Sequence, residues 1–320
     1  MPVQELLAKD TSGQSAESAD PGLTLAQYAA AKQLPEGFLR QLGLDDFAYT
    51  GRPAAQIPYF DEAGQEIAVR FRLSLTGARR FVWKKGAKPL PYGLWHLASA
   101  RDVDYLIIPE GESDTQTLWF LGTPALGIPG AGIWKEEWAT YLAGIDTIFV
   151  IIEPGGSGNS MLKWIAKSSI RDRVRLVRLG EHNDPSALWI ADLDPQRFKA
   201  RLDAALDAAL TWEEHERRER EAQAALLRQK CDALARDPCI LDHLVADLRG
   251  RGLVGEDQVA KLLDLTKLSV DVLDRAVSAV VKGPSSAGKN FVTESVLAFV
   301  PAESYVELSS MSERSLIYDE

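Results

Sequence analysis

Short apolar runs of five or six residues recur through the middle of the chain, and polar or glycine-rich stretches separate them. Runs this short and this apolar are typical of strands that are buried on both faces. The runs lie at residues 105–109, 124–128, 147–152 and 174–179. Helical patterns alternate with them at residues 113–121, 135–142 and 159–167. The alternation predicts an α/β fold with a Rossmann-like parallel sheet, in which a reactive site lies at the carboxyl ends of the strands.

The pattern before residue 100 is different. Residues 23–34 have a helical pattern after Thr24, which is a suitable N-cap. Pro35 opens a second short helix that ends near Gly43. Two strand-like runs follow at residues 56–60 and 66–75, separated by an Asp-Glu-Ala-Gly turn, and another run covers residues 80–84. We therefore predict an α+β segment over residues 22–100 and the parallel sheet over residues 101–193.

The remaining parts of the chain carry other signals. Residues 1–21 are small and polar, which is typical of a disordered tail. Residues 194–270 are charged and rich in Ala and Leu, without a strand pattern, and predict a helical connector with solvated faces. In the last segment, residues 271–320, an apolar run at residues 276–282 predicts a strand, and a helix is expected from about residue 291 to residue 299.

Composition narrows the class of protein. The 320 residues carry a formal net charge of −10, so nucleic acid would have to bind at a local basic patch. No apolar run approaches the roughly 18 residues of a membrane span, and the N-terminus lacks a signal-peptide pattern. The two cysteines, Cys231 and Cys239, fit no zinc-ligand spacing. We expect a cytoplasmic protein without a membrane partner.

Acidic residues follow three of the predicted strands. Glu110 ends the first strand, Gly111 makes a turn, and Asp114 lies about one helical turn later. Glu153 ends the strand at 147–152, and Asp184 follows the last strand. Carboxylates that converge at one sheet edge suit Mg²⁺ or Mn²⁺, which bridges phosphate oxygens in phosphoryl transfer. The alternative is that Glu110 and Asp114 only cap the following helix. Glu112 is expected to be a solvated helix residue.

A basic stretch without any acid lies between residues 70 and 88, and aromatic residues interleave with it. Its cations are Arg70, Arg72, Arg79, Arg80, Lys84, Lys85 and Lys88. Such cations hold phosphates, and exposed aromatic rings stack on bases. Strand alternation would place Arg70 and Arg72 on one face and Phe71 on the other. The alternative is that the aromatic residues belong to the core and the cations to a solvated face.

A glycine-rich loop follows the predicted strand at 276–282. Gly283 and Gly288-Lys289 have the spacing of a phosphate-binding loop (P-loop), with Asn290 where Ser or Thr is usual. Backbone amides of the loop would cradle ATP phosphates, and Lys289 would reach the terminal ones. The 30 residues after Asn290 offer no second strand that ends in an acid. We therefore expect an incomplete P-loop ATPase segment that does not hydrolyse ATP by itself.

Residues 23–190 resemble the TOPRIM domain, on the strength of Glu110-Gly-Glu-Ser-Asp114, Gly127-Ile-Pro-Gly130 and the strand that ends in Glu153. TOPRIM domains occur in bacterial-type primases, topoisomerases and some nucleases. The chain is most similar to the primases and primase-helicases of phages, plasmids and integrative elements. Residues 309–318 likewise resemble the stretch after the P-loop in helicase-like proteins of mobile elements.

The resemblance implies a role for each acid. Glu110 would be the catalytic acid or base and Asp114 its partner, with Glu110, Glu153 and Asp184 as the metal ligands. The family usually has a second carboxylate at the position of Gly155 and another at that of Ser186. These two departures favour a degenerate TOPRIM domain that binds but does not polymerise.

The function that the resemblance implies is primer synthesis. Nucleoside triphosphates would be joined on a single-stranded DNA template with Mg²⁺ or Mn²⁺, linked to a helicase-like ATPase. A replication helicase or a second copy of the chain is a further expected partner. The alternatives are a degenerate module that binds nucleic acid without catalysis, and a TOPRIM nuclease. A topoisomerase is disfavoured because no cleavage domain with a nucleophilic Tyr is identifiable.

Overall fold

The computed structural model describes residues 22–77, 80–273, 275–284 and 288–308. The predicted tail at residues 1–21, Arg79, and residues 309–318 lie outside these ranges. The chain divides into two compact units, the first running to Arg220 and the second beginning at Glu221.

The first unit opens with two short helices. Helix α1 (Leu25–Lys32) begins at Thr24, whose hydroxyl accepts the Gln27 N–H while the Gln27 side chain accepts the Thr24 N–H. This reciprocal capping box confirms the predicted N-cap. Helix α2 (Glu36–Gln41) follows directly after Pro35.

An antiparallel sheet comes next, in the order β1-β2-β3-β4. Its strands are β1 (Asp45–Tyr49), β2 (Arg52–Phe60), β3 (Glu66–Arg72) and β4 (Phe81–Trp83). The predicted hairpin is confirmed, since β2 and β3 pair across the turn at residues 61–65. The prediction missed β1, an edge strand whose side chains are almost all exposed and which therefore has no apolar pattern.

The second sheet has the order β5-β6-β7-β8. The strands β5 (Tyr105–Ile108), β6 (Thr147–Ile151) and β7 (Val174–Val177) pair in parallel. The short β8 (Leu210–Thr211) pairs antiparallel with β7 and lies in the segment for which no strand was predicted. The strand expected at residues 124–128 is only partly present. Isolated bridges link this segment to Ile107 and Glu110, and Pro109 between them has no N–H to continue the ladder.

Helices cover the parallel sheet. They are α3 (Leu97–Val103), α4 (Glu112–Phe120), α5 (Gly156–Ile165), α6 (Pro185–Ile190) and α7 (Pro195–Asp207). The helix expected at residues 135–142 is a 3₁₀-helix, Glu136–Leu142. Alternate side chains of the parallel strands enter two separate cores, with Ile107 in one and Leu106 and Ile108 in the other. The first of these cores also holds Ile57 and Tyr59 of β2, so both sheets pack around it.

The second unit is helical. Helix α8 (Trp212–Ala235) begins in the first unit, continues into the second, and has no buried residue. It is followed by α9 (Ile240–Gly250), α10 (Asp257–Val272) and α11 (Lys289–Leu297). Leu248, Ala260 and Val296 contribute to a small core. None of the helices in the described ranges is long and apolar enough to span a membrane.

The strand predicted at residues 276–282 is wrong. The described residues 275–284 form no strand, and Val277 and Val280 are exposed. A β-strand needs a neighbouring strand for its backbone hydrogen bonds, and no strand among the described residues of this unit supplies one. The expected helix after the glycine-rich loop is present as α11.

Candidate functional site

A cleft of about 500 Å³ lies in the first unit, at the carboxyl ends of β5 and β6. Residues of β3 and β4, of the helices α1, α4 and α5, and of the segments that follow β5, β6 and β7 line it. They are Lys32, Arg70, Arg72, Arg80, Phe81, Glu110, Gly111, Glu112, Ser113, Asp114, Pro129, Gly130, Glu153, Ser157 and Asp184.

Two glycine turns bring the acids to the same edge of the parallel sheet. Gly111 has φ of 87° and precedes α4, and Gly155 has φ of 82° and precedes α5. Residues other than glycine rarely adopt a backbone conformation with such a positive φ. Glu110 lies immediately before Gly111, and Glu153 lies two residues before Gly155. Because β5 and β6 are parallel, both acids face the cleft.

Three carboxylates form a tight group. Oxygen atoms of Asp114, Glu153 and Asp184 all lie within 4.8 Å of one another. Burial, together with the charge of Asp184, raises the pKa of Asp114 to about 7. Burial and the charges of Glu110, Asp114 and Asp184 raise the pKa of Glu153 to about 8. Crowded hard oxygen ligands that repel one another fit a divalent cation such as Mg²⁺ or Mn²⁺.

Glu110 stands beside this group rather than within it. Its carboxylate accepts a hydrogen bond from the Ser157 hydroxyl at the start of α5. The sequence suggested Glu110, Glu153 and Asp184 as the metal set, whereas the structure places Asp114 with Glu153 and Asp184. All four acids nevertheless line the one cleft.

Neither Glu110 nor Asp114 caps the N-terminus of α4 through a side-chain hydrogen bond. No side chain caps the N-terminus of α4, whose N-cap residue is Gly111. Asp114 instead accepts two hydrogen bonds from Ser186, one from its N–H at 3.1 Å and one from its hydroxyl at 2.6 Å. Asp184 caps α6 by accepting the Ala187 N–H at 2.7 Å.

Glu112 is buried, in contrast to the expectation that it is solvated. Only 1% of its surface is exposed, and it accepts hydrogen bonds from the Tyr59 hydroxyl and, at 2.7 Å, from Arg70 Nη1. All residues of α4 from Glu112 to Leu118 are buried, although most are polar. A polar sequence gives no signal of such burial, so the sequence could not identify this ion pair.

The predicted basic stretch is divided by the fold. Arg70, Arg72 and Arg80 line the acidic cleft. The expected alternation is confirmed, because Phe71 packs on the opposite face with Ala54 and Val69.

Other cations of that stretch lie elsewhere. Lys84, Lys85 and Lys88 are exposed and do not line the cleft, and Lys88 instead lines a separate cavity of about 480 Å³. Lys32, at the end of α1, was not predicted as a site residue. It lies far from the basic stretch in sequence but lines the cleft.

Arg72 is a buried cation in this cleft. It is 5% exposed, and it forms no ion pair with any residue in the described ranges. The rings of Phe81 and Tyr28 lie 4.6 Å and 5.3 Å from its guanidinium carbon. Its Nε atom is buried without a hydrogen-bond acceptor. A buried cation without an anionic partner is unfavourable unless a ligand supplies the negative charge.

The predicted phosphate-binding loop lies in the second unit. Gly288 has φ of 75° and precedes α11, whose first two residues are Lys289 and Asn290. Lys289 Nζ donates to the carbonyl oxygens of Gly283 at 2.9 Å and Pro284 at 2.6 Å. The interior of the loop, residues 285–287, lies outside the described residues.

A phage protein is similar in sequence to part of this chain. No family model matches the chain. Over 121 residues the chain is 27% identical to the gene 57 protein of Mycobacterium phage D29, covering 38% of this chain and 77% of the phage protein.

Solved structures are similar at low sequence identity. The RNA polymerase domain of the Mycobacterium tuberculosis primase DnaG, in complex with double-stranded DNA, aligns with a TM-score of 0.52 at 14% identity. This alignment covers 74% of the present chain and 92% of that domain. The same domain with an overhanging DNA oligomer gives a TM-score of 0.51 at 15% identity. These similarities establish a mixed α/β fold like that of a primase catalytic domain.

Proposed function

We propose that the chain is a primase-type nucleotidyltransferase of the TOPRIM class, which joins nucleotides on a single-stranded DNA template. The observation that carries the proposal is the cleft itself. Four carboxylates that can serve metal binding and proton transfer share it with the cations Lys32, Arg72 and Arg80. The fold similarity to the DNA-bound primase domain supports the same conclusion.

The acidic group would hold the metal. Asp114, Glu153 and Asp184 would be the ligands of Mg²⁺ or Mn²⁺, because their oxygens already lie within 4.8 Å of one another. A bound divalent cation supplies charge neutralisation for the phosphate oxygens of a nucleoside triphosphate.

Glu110 would act as the general base. Its carboxylate lies beside the triad and is oriented by the Ser157 hydroxyl. A carboxylate in this position can accept the proton of an attacking 3′-hydroxyl. The 3′-oxygen would then bond to the α-phosphorus of the nucleoside triphosphate, and the bond from that phosphorus to pyrophosphate would break. Ser157 holds the Glu110 side chain at the edge of the cleft.

The cations would hold phosphate. Arg72 is buried without an anionic partner among the described residues, so a triphosphate would complete its environment. Lys32 and Arg80 are more accessible and would meet phosphates at the mouth of the cleft. Arg70 is neutralised by Glu112 and would instead shape the wall. The exposed cations Lys84, Lys85 and Lys88 would contact template outside the cleft.

The test is primer synthesis by the full chain on single-stranded DNA with nucleoside triphosphates and Mg²⁺ or Mn²⁺. Wild type should extend primers, and Glu110→Ala should abolish the product. Glu66→Ala removes an exposed glutamate at the start of β3 and should retain full activity. Equal synthesis by the wild type and the Glu110→Ala variant would refute the catalytic assignment.

A second candidate is a module that binds nucleic acid without catalysis. Gly155 and Ser186 favour it, because neither supplies the carboxylate that TOPRIM proteins usually have there. This candidate predicts salt-sensitive DNA binding that survives Glu110→Ala, together with no primer product from the wild type. Metal-dependent cleavage of DNA without nucleotide would indicate the nuclease alternative.

In the second unit, four residues would form a P-loop-like segment that contacts ATP phosphates. They are Gly283, Gly288, Lys289 and Asn290. A replication helicase or a second copy of the chain would be its partner in translocation.

A further inference from the structure

Asp114 is a buried carboxylate with one of its oxygens fully engaged. The Ser186 N–H and the Ser186 hydroxyl both donate to Asp114 Oδ1, at 3.1 Å and 2.6 Å. Within the described residues, Oδ2 receives no hydrogen bond from the protein, and Asp114 lines the cleft. The two donors thus leave one oxygen of Asp114 for the neighbouring group of acids.

Ser186 is itself held in place. It is 1% exposed, and its hydroxyl lies 3.3 Å from the Thr117 hydroxyl, one turn after Asp114 on α4. The Thr117 hydroxyl also contacts the Ser113 carbonyl oxygen at 2.9 Å. A serine fixed by its surroundings can fix the carboxylate that it touches, because neither side chain is free to rotate alone.

The same turn carries a member of the acidic group. Asp184 is the N-cap of α6 and Ser186 is the second residue of that helix. Helix α6 therefore presents a carboxylate to the cleft and, two residues later, donates two hydrogen bonds to a second carboxylate of the same group. Ser186 sets the position of Asp114 relative to Asp184.

We propose that Ser186 is a positioning residue that directs Asp114 Oδ2 toward Glu153 and Asp184, so that divalent-cation affinity depends on its hydroxyl. The inference rests on the proposed metal site and deepens it. Residues that orient metal ligands through hydrogen bonds typically change metal affinity 10- to 100-fold when they are removed, roughly the range expected here.

The experiment is a Mn²⁺ titration of the full chain, followed by electron paramagnetic resonance of the free ion. Ser186→Ala should raise the Mn²⁺ dissociation constant about tenfold or more. Ser186→Thr keeps the hydroxyl and should retain most of the affinity. Ser168→Ala is the matched control, because Ser168 is also a buried serine of the first unit but does not line the cleft. The Mn²⁺ dissociation constant of Ser168→Ala should equal that of the wild type.

The outcomes separate the two proposals. If the wild type binds no Mn²⁺, the proposed metal site itself fails. If the wild type binds and Ser186→Ala binds equally well, or if Ser186→Thr is as weak as Ser186→Ala, the positioning role is overturned. Trp fluorescence in EDTA reports whether each variant is folded. If Ser186→Ala unfolds, Ser186→Cys replaces it, because cysteine has a similar side-chain volume and is a weaker hydrogen-bond donor. A Mn²⁺ affinity of Ser186→Cys between those of the wild type and a ligand variant such as Asp184→Asn supports the proposal. A Mn²⁺ affinity equal to that of the wild type opposes it.

Discussion

The ion pair between Arg70 and Glu112 offers a quantitative test of how the cleft wall is built. Glu112 is 1% exposed and the Arg70 side chain 12%, with 2.7 Å between Nη1 and Oε1. Glu112→Ala leaves the Arg70 guanidinium buried without its anion and also deprives the Tyr59 hydroxyl of its acceptor. We expect the first unit to lose a large part of its stability.

The magnitude follows from the burial of both partners. Removing one partner of a buried pair costs about 3–5 kcal/mol, because the other charge remains buried. The rings of Phe81 and Trp83, 4.2 Å and 5.2 Å from the Arg70 guanidinium carbon, offset part of this cost. For a unit of this size, 3–4 kcal/mol corresponds to a fall in melting temperature of about 10 °C.

Urea unfolding followed by Trp fluorescence measures this effect in the first unit, since all eight tryptophans precede residue 213. Glu62→Ala is the matched control, because Glu62 forms a 2.9 Å pair with Arg101 that is 35–44% exposed. An exposed pair contributes about 0–1 kcal/mol. A loss for Glu112→Ala no larger than that for Glu62→Ala would refute the account of a buried, structurally essential pair.

Three further predictions concern the cleft. In EDTA, the free energy of unfolding should fall as pH rises from about 4 to 8, because folded Asp114 and Glu153 keep protons that the unfolded chain releases near pH 3.8 and 4.5. Urea titrations at several pH values should show a smaller pH dependence for Asp114→Asn. An unchanged pH dependence would contradict the raised pKa of Asp114. Gly158→Ala should lower the free energy of unfolding by about 1–3 kcal/mol and weaken Mn²⁺ binding, because a Cβ atom would lie 2.0 Å from the Glu153 carbonyl oxygen. In the control Gly156→Ala the Cβ meets nothing within 4 Å, so stability in urea should be near that of the wild type. Equal losses in the two variants would oppose this reasoning. Arg72→Met should stabilise the free protein but weaken nucleoside triphosphate binding by about 10- to 100-fold, the equivalent of one charged hydrogen bond. Isothermal titration calorimetry should show no such loss of affinity for Lys88→Ala. Intact nucleotide binding by Arg72→Met would show that Arg72 does not bind the triphosphate.

The parallel strands could be predicted because their apolar runs are short and bounded by turns. The same pattern placed Glu110 and Glu153 at one edge, since the carboxyl ends of parallel strands share that edge. Strand alternation also separated Arg70 and Arg72 from Phe71 correctly.

Other features depend on contacts that no local pattern records. Helix α4 is polar yet buried from Glu112 to Leu118, so the burial of Glu112 follows only from tertiary packing, including its contacts with Tyr59 and Arg70 of the antiparallel sheet. Lys32 reaches the cleft because α1 ends there, although it is distant in sequence from the acids. The run at residues 276–282 is apolar enough for a strand but has no partner strand among the described residues of its unit.

The central claim is that Asp114, Glu153 and Asp184 together bind one divalent cation in the cleft. Crystals of the full chain soaked in Mn²⁺ and measured near the manganese absorption edge test it directly. We expect an anomalous difference peak about 2.0–2.3 Å from an oxygen of each of the three carboxylates. A fully soaked crystal with no peak in the cleft, or with a peak that contacts none of these side chains, would contradict the account.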